Sequence, residues 1–392
     1  MLKYDVIIAG AGPAGSSAAI HLAQNNLRVL LVEQKKFPRA KLCGEFISPE
    51  CERHFENLGV VDLMNCHGPA IITDTVFYSA RGHSVTIPSK WFGGGAALGL
   101  SRAVMDEVLL RRAEQCGVSV LEGASISEPV RSGSDVLGLK VKIDGDEHEY
   151  RAPITIDATG RARILTRKLS AGGPRSKPKL IAFKVHLRNT LVAENTCEIY
   201  FYPEGYGGLS SVEGEHSNLC FIISAEEVKR HSSNPEVVMR ENVMKNRRAA
   251  HTLEQAQPES EWLSASWERF GRQEPSPAKG LLAIGDSAAF IDPFTGSGML
   301  MAFESGELAA SIITRHRNSL NSETLRSDYS AQYQRRFNSR LRICGLLRRA
   351  AFRPRLAGLG IAICGASERF RSRIARATRS PNRDDHSPLR AG

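Results

Sequence analysis

The sequence predicts an α/β protein in which a parallel sheet is interrupted by a second, sheet-based unit and followed by a helical region. Three observations predict it. Residues 4–33 have the pattern of strand, helix and strand around a glycine-rich turn, residues 177–270 change to short strands, and the chain from residue 318 onward is helical and rich in arginine. A chain of 392 residues has room for these units and for a sizeable core.

The opening unit carries a phosphate-binding turn. An apolar strand, residues 4–9, leads into the sequence GAGPAG, a helix with small residues follows, and a second strand ends in Glu33-Gln34. Gly10 permits the tight turn, Gly12 lets the backbone approach a pyrophosphate, and Gly15 lets the helix pack close to the strand. The helix N-terminus favours the phosphate charge, and Glu33 lies where an acid can accept hydrogen bonds from ribose hydroxyls. This pattern predicts a Rossmann-like dinucleotide site built from Gly10, Gly12, Pro13, Ala14, Gly15, Glu33 and Gln34.

Other elements follow in order along the chain. Residues 34–69 are polar and read as irregular, and hairpins are predicted around Arg81-Gly82 and around Asp144-Gly145. Residues 101–116 and 298–314 have helical patterns, whereas residues 180–187, 197–202 and 218–224 read as strands.

Four further segments indicate that the dinucleotide contains a flavin. Gly285-Asp286 ends a buried strand, where an acid can bond a ribityl hydroxyl. Residues 292–299 open a long helix, whose N-terminus suits the negative charge of a reduced flavin. Arg102 opens another helix within reach of the phosphates, and a turn at residues 157–160 lies beside the adenine end. The candidate residues from these segments are Arg102, Asp157, Gly160, Gly285, Asp286, Pro293, Gly296, Ser297 and Gly298.

In this order, the segments resemble the FAD-dependent superfamily of geranylgeranyl reductases, aromatic hydroxylases (flavin monooxygenases) and halogenases, over about residues 3–350. The resemblance implies a glutathione-reductase-type FAD-binding domain, an inserted antiparallel substrate sheet and a C-terminal helical region. It places Gly296 and Gly298 against the isoalloxazine ring. We expect the FAD-binding domain at 1–70, 98–176 and 277–316, the substrate domain at 71–97 and 177–276, a basic helical region at 317–379 and a disordered tail at 380–392.

Within that superfamily, residues 41–49 are most similar to the geranylgeranyl reductase branch, in which a Cys-Gly pair lies beside the flavin. Tyr206-Gly207-Gly208 sits where that branch carries a tyrosine-containing substrate motif, although the tryptophan of that motif is missing here. Cys43 and Tyr206 are therefore the catalytic candidates. The alternatives are a packing role for Cys43 and a sheet-packing role for Tyr206.

The resemblance implies an FAD-dependent oxidoreductase that transfers hydride to a C=C bond of an apolar small molecule, with NAD(P)H as electron donor. Two alternatives stay open. One is a monooxygenase that hydroxylates an aromatic or polyketide substrate, and the other is a flavoprotein that passes electrons to a membrane quinone. In each case the redox chemistry belongs to the cofactor.

Charge is concentrated near the C-terminus. The chain has a net charge of +10, and residues 335–390 contain fifteen Arg, no Lys and three acids. Such a region can contact an anionic membrane or an acidic carrier protein, and a solvated helical face is the alternative. Nucleic acid is not expected because no recognition motif accompanies the arginines.

The eight cysteines are scattered without metal-ligand spacing, so no metal site is expected. No signal peptide or apolar run of membrane-spanning length is visible. These features predict a cytoplasmic protein, with peripheral membrane contact as an option.

Overall fold

A computed structural model describes residues 3–93, 95–169, 179–267, 270–293, 296–352 and 354–377. The strands are β1 Val6–Ala9, β2 Val29–Glu33, β3 Phe46–Ile47, β4 Ala70–Ile72, β5 Asp74–Tyr78, β6 Ser84–Pro88, β7 Ala97–Gly99, β8 Ser119–Glu122, β9 Ser125–Ser132, β10 Asp135–Ile143, β11 Asp146–Arg151, β12 Ile154–Asp157, β13 Leu180–Arg188, β14 Thr196–Tyr202, β15 Gly205–Ser211, β16 Ser217–Ser224, β17 Gln257–Pro258, β18 Leu263–Trp267, β19 Gly271–Arg272, β20 Leu281–Ala283 and β21 Ala289–Phe290. The helices are α1 Pro13–Gln24, α2 Cys51–Leu58, α3 Val61–Asn65, α4 Arg102–Gln115, α5 Ile164–Leu169, α6 Ala225–Arg230, α7 Pro235–Asn242, α8 Arg247–Thr252, α9 Gly298–Arg315, α10 Glu323–Ala351, α11 Pro354–Ala366 and α12 Glu368–Ala377.

A parallel sheet forms the first unit, with strand order β20-β12-β1-β2-β8. Strand β1 pairs with β2 on one side and with β12 on the other, and all residues of β1 are buried. Helix α1 packs between this sheet and α9, where the buried side chains of Ala18, Ile20 and Leu22 join the largest apolar cluster. The turns that follow β1, β2 and β12 therefore meet at one edge of the sheet, which is where α/β proteins bind nucleotides.

A second, eight-stranded sheet has the order β17-β13-β16-β15-β14-β5-β6, with β18 also paired to β13. Both predicted hairpins are present: β5–β6 belongs to this sheet, and β10–β11 belongs to a separate three-stranded sheet. The strand pairs of the second sheet are antiparallel apart from β5 and β14, which run parallel. The predicted fold class, a Rossmann-like domain with an inserted sheet and a helical C-terminal region, is confirmed.

One sequence reading was wrong, and one strand was missed. Residues 34–69 are not wholly irregular, because they contain α2 and α3. Residues 205–211, which were not assigned, form β15 in the middle of the second sheet. Its glycines are required there, since a Cβ at Gly207 would lie 2.8 Å from the Cβ of Phe221.

The helical C-terminal region is joined to the first unit by a buried ion pair. Arg340 of α10 is 1% exposed and donates to both carboxylate oxygens of Glu304 on α9, at 2.7 and 3.2 Å. Further along, α11 packs against β6 and β14 of the second sheet, with Ile361 in an apolar cluster that includes Tyr206. The C-terminal helices thus connect the two sheets.

Some of the arginines in this region face solvent, including Arg335, Arg342, Arg369 and Arg373. Contact of this surface with a membrane or an acidic carrier stays a prediction. Among the described residues, no helix combines the length and apolar character needed to cross a bilayer. The predicted disordered tail, residues 380–392, lies outside the described residues, and the predicted domain limits also stay predictions.

Candidate active site

The main cavity, of about 430 Å³, opens at the edge of the parallel sheet where β1, β2 and β12 end. Most of the sequence-predicted residues line it, although they come from segments far apart in the chain. The candidates that line this cavity are Gly10, Gly12, Pro13, Ala14, Glu33, Gln34, Cys43, Arg102, Gly160, Gly285, Asp286, Pro293, Gly296 and Gly298. The fold therefore brings the glycine-rich turn, the Gly-Asp turn and the start of α9 around one space.

At one end of this cavity, two guanidinium groups face the glycine-rich turn. A Cβ built on Gly12 would lie 3.8 Å from Nη2 of Arg102 and 4.0 Å from Nη2 of Arg39. Asp106 holds both cations: it accepts from Arg102 Nε and Nη2 at 2.8 and 2.7 Å, and Arg39 Nη1 lies 3.1 Å from it. Burial alone would lower the pKa of Arg102, but Asp106 outweighs it and raises that pKa. The space in front of Gly12 is thus a cationic cradle with the charge that a pyrophosphate needs.

Glu33 orders this turn from the neighbouring strand. Its carboxylate accepts from the backbone N–H of Ala11 and of Lys35, each at 3.0 Å, and Arg39 Nη2 donates to it at 3.4 Å. Gly15 lies behind the turn, outside the cavity lining, where a Cβ would come within 1.9 Å of the carbonyl oxygen of Gly10. Gly15 therefore serves the close approach of helix and strand.

Farther along the cavity, Asp286 lies among cations. Burial raises the pKa of this carboxyl, and Arg161, Arg102 and Lys41 act in the opposite direction. Arg161 is held against aromatic rings, 5.1 Å from the centroid of Trp267 and 5.5 Å from that of Phe290. Lys41 projects into the same cavity, and its pKa is lowered by burial and by the neighbouring arginines. This end offers hydrogen-bonding groups of both signs to a polyhydroxylated chain.

Besides Gly15, three candidates lie outside this lining. Asp157 is fully buried, and its carboxylate accepts from Thr159 (N and Oγ1), Ser287 Oγ, and the backbone N–H of Leu165 and Thr166. It shapes the turn that contains Gly160 and does not reach the cavity. Ser297 is buried just before α9. The third, Tyr206, lines a different pocket.

That second pocket, of about 110 Å³, lies between the second sheet and the main cavity. Its walls are mostly apolar and come from Gly44, Phe46, Thr75, Phe77, Phe92, Cys197, Ile199, Tyr206, Gly208, Ser210, Cys220, Ile222, Pro293 and Gly296. Burial raises the pKa of Cys197 and of Cys220 to about 12, so both thiols stay protonated at neutral pH. Tyr206 is 4% exposed, and its hydroxyl donates to the carboxylate of Asp292.

The two spaces share a wall, formed by Gly44, Phe46, Cys220, Pro293 and Gly296. Cys43 lies on the cavity side of this wall, half-buried, and its Sγ accepts from the backbone N–H of Glu45 at 3.4 Å. A molecule that filled the main cavity as far as Gly296 would therefore lie against the wall of the apolar pocket.

Glu45, which sequence reasoning missed, ties this wall to both units. It is fully buried with a left-handed φ of 53°. Its carboxylate accepts from Lys184 Nζ and from the backbone N–H of Arg102 at 2.8 Å, and it lies 2.7 Å from His186 Nε2. Burial would raise the pKa of Glu45, but His186 and Lys184 outweigh it and lower that pKa. The carboxylate thus ties the loop that contains Glu45 to strand β13 and to the start of α4.

Other residues that sequence reasoning missed are Arg39, Lys41 and Arg161. All three line the main cavity, but no local pattern distinguishes them from surface cations. The described residues contain no group of three or more His, Cys, Asp or Glu side chains that could hold a metal ion.

The geometry fits a flavin dinucleotide. One end has the cationic cradle over Gly12, and the other has a second helix N-terminus at α9. A Cβ on Gly160 or Gly298 would meet no atom within 4 Å, so both glycines present open backbone to the cavity. A diphosphate needs the cationic surface, and a flat ring needs the open backbone surface.

Comparison with known families agrees with this geometry. A family model described as an FAD binding domain matches residues 3–338. The chain is 25% identical to Conditioned medium factor receptor 1 of Dictyostelium discoideum, over 78% of this chain and 62% of that protein's length. It is 26% identical to a 1H-pyrrole-2-carbonyl-[peptidyl-carrier protein] brominase of Pseudoalteromonas luteoviolacea, over 79% and 77% of the two chains. It is 27% identical to a digeranylgeranylglycerophospholipid reductase of Methanosarcina mazei, over 78% and 74%.

Solved structures show the same fold at lower identity. A flavin-dependent brominase superposes with a TM-score of 0.81 at 23% identity, covering 96% of this chain and 93% of that chain. A geranylgeranyl bacteriochlorophyll reductase-like protein from Thermoplasma acidophilum superposes with a TM-score of 0.79 at 20% identity, covering 94% and 92%.

Proposed function

Because this chain belongs to the FAD-binding domain family, we propose that it reduces a C=C bond of an apolar organic substrate held in the pocket beside Tyr206. It is an FAD-dependent oxidoreductase. The identity of the substrate and the reduction of its C=C bond are what we propose. When bound and reduced, the FAD would supply a hydride and would itself be oxidised. The chain's own residues hold the cofactor, place the substrate, exclude water and supply a proton.

One observation carries the proposal: an apolar pocket with one hydroxyl–carboxylate pair adjoins the main cavity along a shared wall. Saturation of a C=C bond adds a hydride to one carbon and a proton to the other. The O–H bond of Tyr206 would break as the second C–H bond forms, leaving a phenolate beside Asp292. The thiols of Cys197 and Cys220 are poor proton donors here, since burial raises the pKa of each to about 12.

The similarity to the M. mazei reductase supports the same chemistry, at 27% identity over 78% of this chain. We also propose that Cys43 and Gly44 form the part of the wall that the flavin ring contacts. Glu45 then acts as a support for that wall, because its carboxylate is fully engaged by neighbouring groups.

Oxygen-dependent hydroxylation of a ring is the second candidate, and the size of the pocket favours it. A pocket of about 110 Å³ is smaller than the engineered cavity of about 150 Å³ that binds benzene. It therefore has room for at most one ring or one isoprene unit. A long prenyl chain would have to place its other units elsewhere, whereas a single ring needs no such space. The brominase relative, named for a pyrrole-carbonyl carrier substrate, is compatible with a ring in this position.

The mass of the product separates the two candidates. Dithionite-reduced protein is mixed with geranylgeraniol under argon, and in parallel with alkylphenols in air. Reduction predicts a prenyl product heavier by two hydrogen atoms that forms without oxygen. A product heavier by one oxygen atom, formed only in air, would replace the first candidate with the second.

We propose NAD(P)H as the physiological electron donor. If the flavin stayed oxidised after anaerobic mixing with NADH and with NADPH, that choice would be contradicted.

A further inference from the structure

The end of α10 reaches the Tyr206–Asp292 pair. Arg348 Nε lies 3.4 Å from Oδ2 of Asp292, while the Tyr206 hydroxyl bonds the other carboxylate oxygen. The Arg348 guanidinium also lies 3.9 Å from the ring centroid of Phe270, which restricts its orientation. One turn later, Phe352 meets the Tyr206 ring edge to face, with the centroids 5.6 Å apart. These residues come from beyond residue 338, where the family match ends.

Burial makes the charge on this pair costly. The side chain of Asp292 is 2% exposed and Tyr206 is 4% exposed, whereas Arg348 is 35% exposed at the outer end of the chain of contacts. If Tyr206 gave up its proton, a phenolate would stand beside a carboxylate in a place with little water. Two adjacent negative charges oppose ionisation, and a cation next to one of them relieves that opposition.

We propose that Arg348 is a positioning residue that acts through Asp292 to make Tyr206 a stronger acid, with Phe352 fixing the ring of Tyr206. The inference rests on the proposed function, in which Tyr206 donates the proton. Tyr206 from β15 and Arg348 from α10 both face Asp292. Arg161 contacts the ring of Phe290, which stacks on the Phe270 ring that Arg348 covers. The C-terminal helices are thus part of the active site.

The acidity of Tyr206 can be measured without turnover. We would place 2,3,5-trifluorotyrosine at position 206 of the FAD-loaded protein and follow its ionisation by fluorine NMR across pH. The protein that keeps Arg348 should ionise at a pH about one unit lower than the Arg348→Gln variant. Arg348→Lys should restore most of the difference. Arg342→Gln is the matched control, because Arg342 is exposed on the same helix.

Ionisation of Tyr206 at the same pH with and without Arg348 would overturn the inference.

A double-mutant cycle on the reaction rate is a second, independent test. It uses the substrate that the product-mass experiment identifies. Arg348→Gln should slow product formation about tenfold, with unchanged FAD content and KM and a larger solvent deuterium effect. In a Tyr206→Phe background, Arg348→Gln should add no further loss.

Losses that multiply in the double variant would show that Arg348 acts elsewhere, and would overturn this inference alone. Full activity of the Tyr206→Phe variant would instead show that Tyr206 is not the proton donor, which would overturn the proposed mechanism. The two failures are therefore distinguishable.

Discussion

Replacing Glu45 with alanine should lower the free energy of unfolding by about 3–5 kcal/mol. The reason is the burial of its ion-pair partner: Lys184 is 3% exposed, and its Nζ is paired with the Glu45 carboxylate. The substitution also leaves the backbone N–H of Arg102 without its acceptor. Removal of one member of a buried ion pair is far more costly than the pair itself is stabilising. Urea denaturation, followed by circular dichroism, measures the difference.

Glu147→Ala is the matched control, since its partner Lys140 lies 3.1 Å away on an exposed hairpin. Exposed pairs contribute little, so this variant should unfold close to the natural protein. A double variant, Glu45→Gln with Lys184→Met, should recover part of the loss because no buried charge is left without a partner. If Glu45→Ala unfolded at the same urea concentration as Glu147→Ala, the stabilising role assigned to the buried bonds of Glu45 would be wrong.

Gly12→Val should give a folded protein that binds no FAD. The backbone at Gly12 has φ −76°, which valine adopts without strain. Its side chain would instead occupy the cradle in front of Arg102 and Arg39, whose guanidinium nitrogens lie 3.8 and 4.0 Å from the position of a Cβ. The loss would follow from lost space for the phosphates. Flavin absorbance per chain after purification measures it.

Gly345→Val serves as the control, because a Cβ there meets no atom within 4 Å and the site lies on α10, away from the cavity. It should retain its FAD. One FAD per chain in Gly12→Val would show that the phosphates bind elsewhere.

Local patterns were enough to predict the glycine-rich turn and the two hairpins. Gly10 has a left-handed φ of 102°, and a Cβ on Gly15 would lie 1.9 Å from the carbonyl oxygen of Gly10, so both needs arise within a few residues. The same is true of Asp144-Gly145 in its hairpin, in which both residues have positive φ. Such elements are specified by their own sequence.

Strand β15 could not be predicted in this way. Its glycines are poor strand formers, and they are needed because neighbouring strands fill the space: a Cβ on Gly208 would lie 2.9 Å from Cδ1 of Ile199. In α2, by contrast, a signal was present. Cys51, His54, Phe55 and Leu58 are its buried residues, at helical spacing.

The acids illustrate the limit for the site. Asp157 ends a buried strand and begins the turn predicted beside the adenine end, but five donors within the protein bond its carboxylate. Glu45 lies within residues 41–49, but nothing in that stretch indicated that its carboxylate connects α4 and β13. Arg348 lies more than fifty residues from Asp292. Only the tertiary fold decides which charges meet.

The central claim is that one FAD fills the main cavity, with its diphosphate over Gly12 and its ring near Gly296 and Gly298. Titration of the flavin-free protein with FAD, FMN and ADP tests it most directly, because each ligand carries a different part of FAD. The account predicts one FAD bound per chain, competition by ADP and much weaker retention of FMN. FMN bound as tightly as FAD, or FAD uptake that excess ADP leaves unchanged, would contradict it.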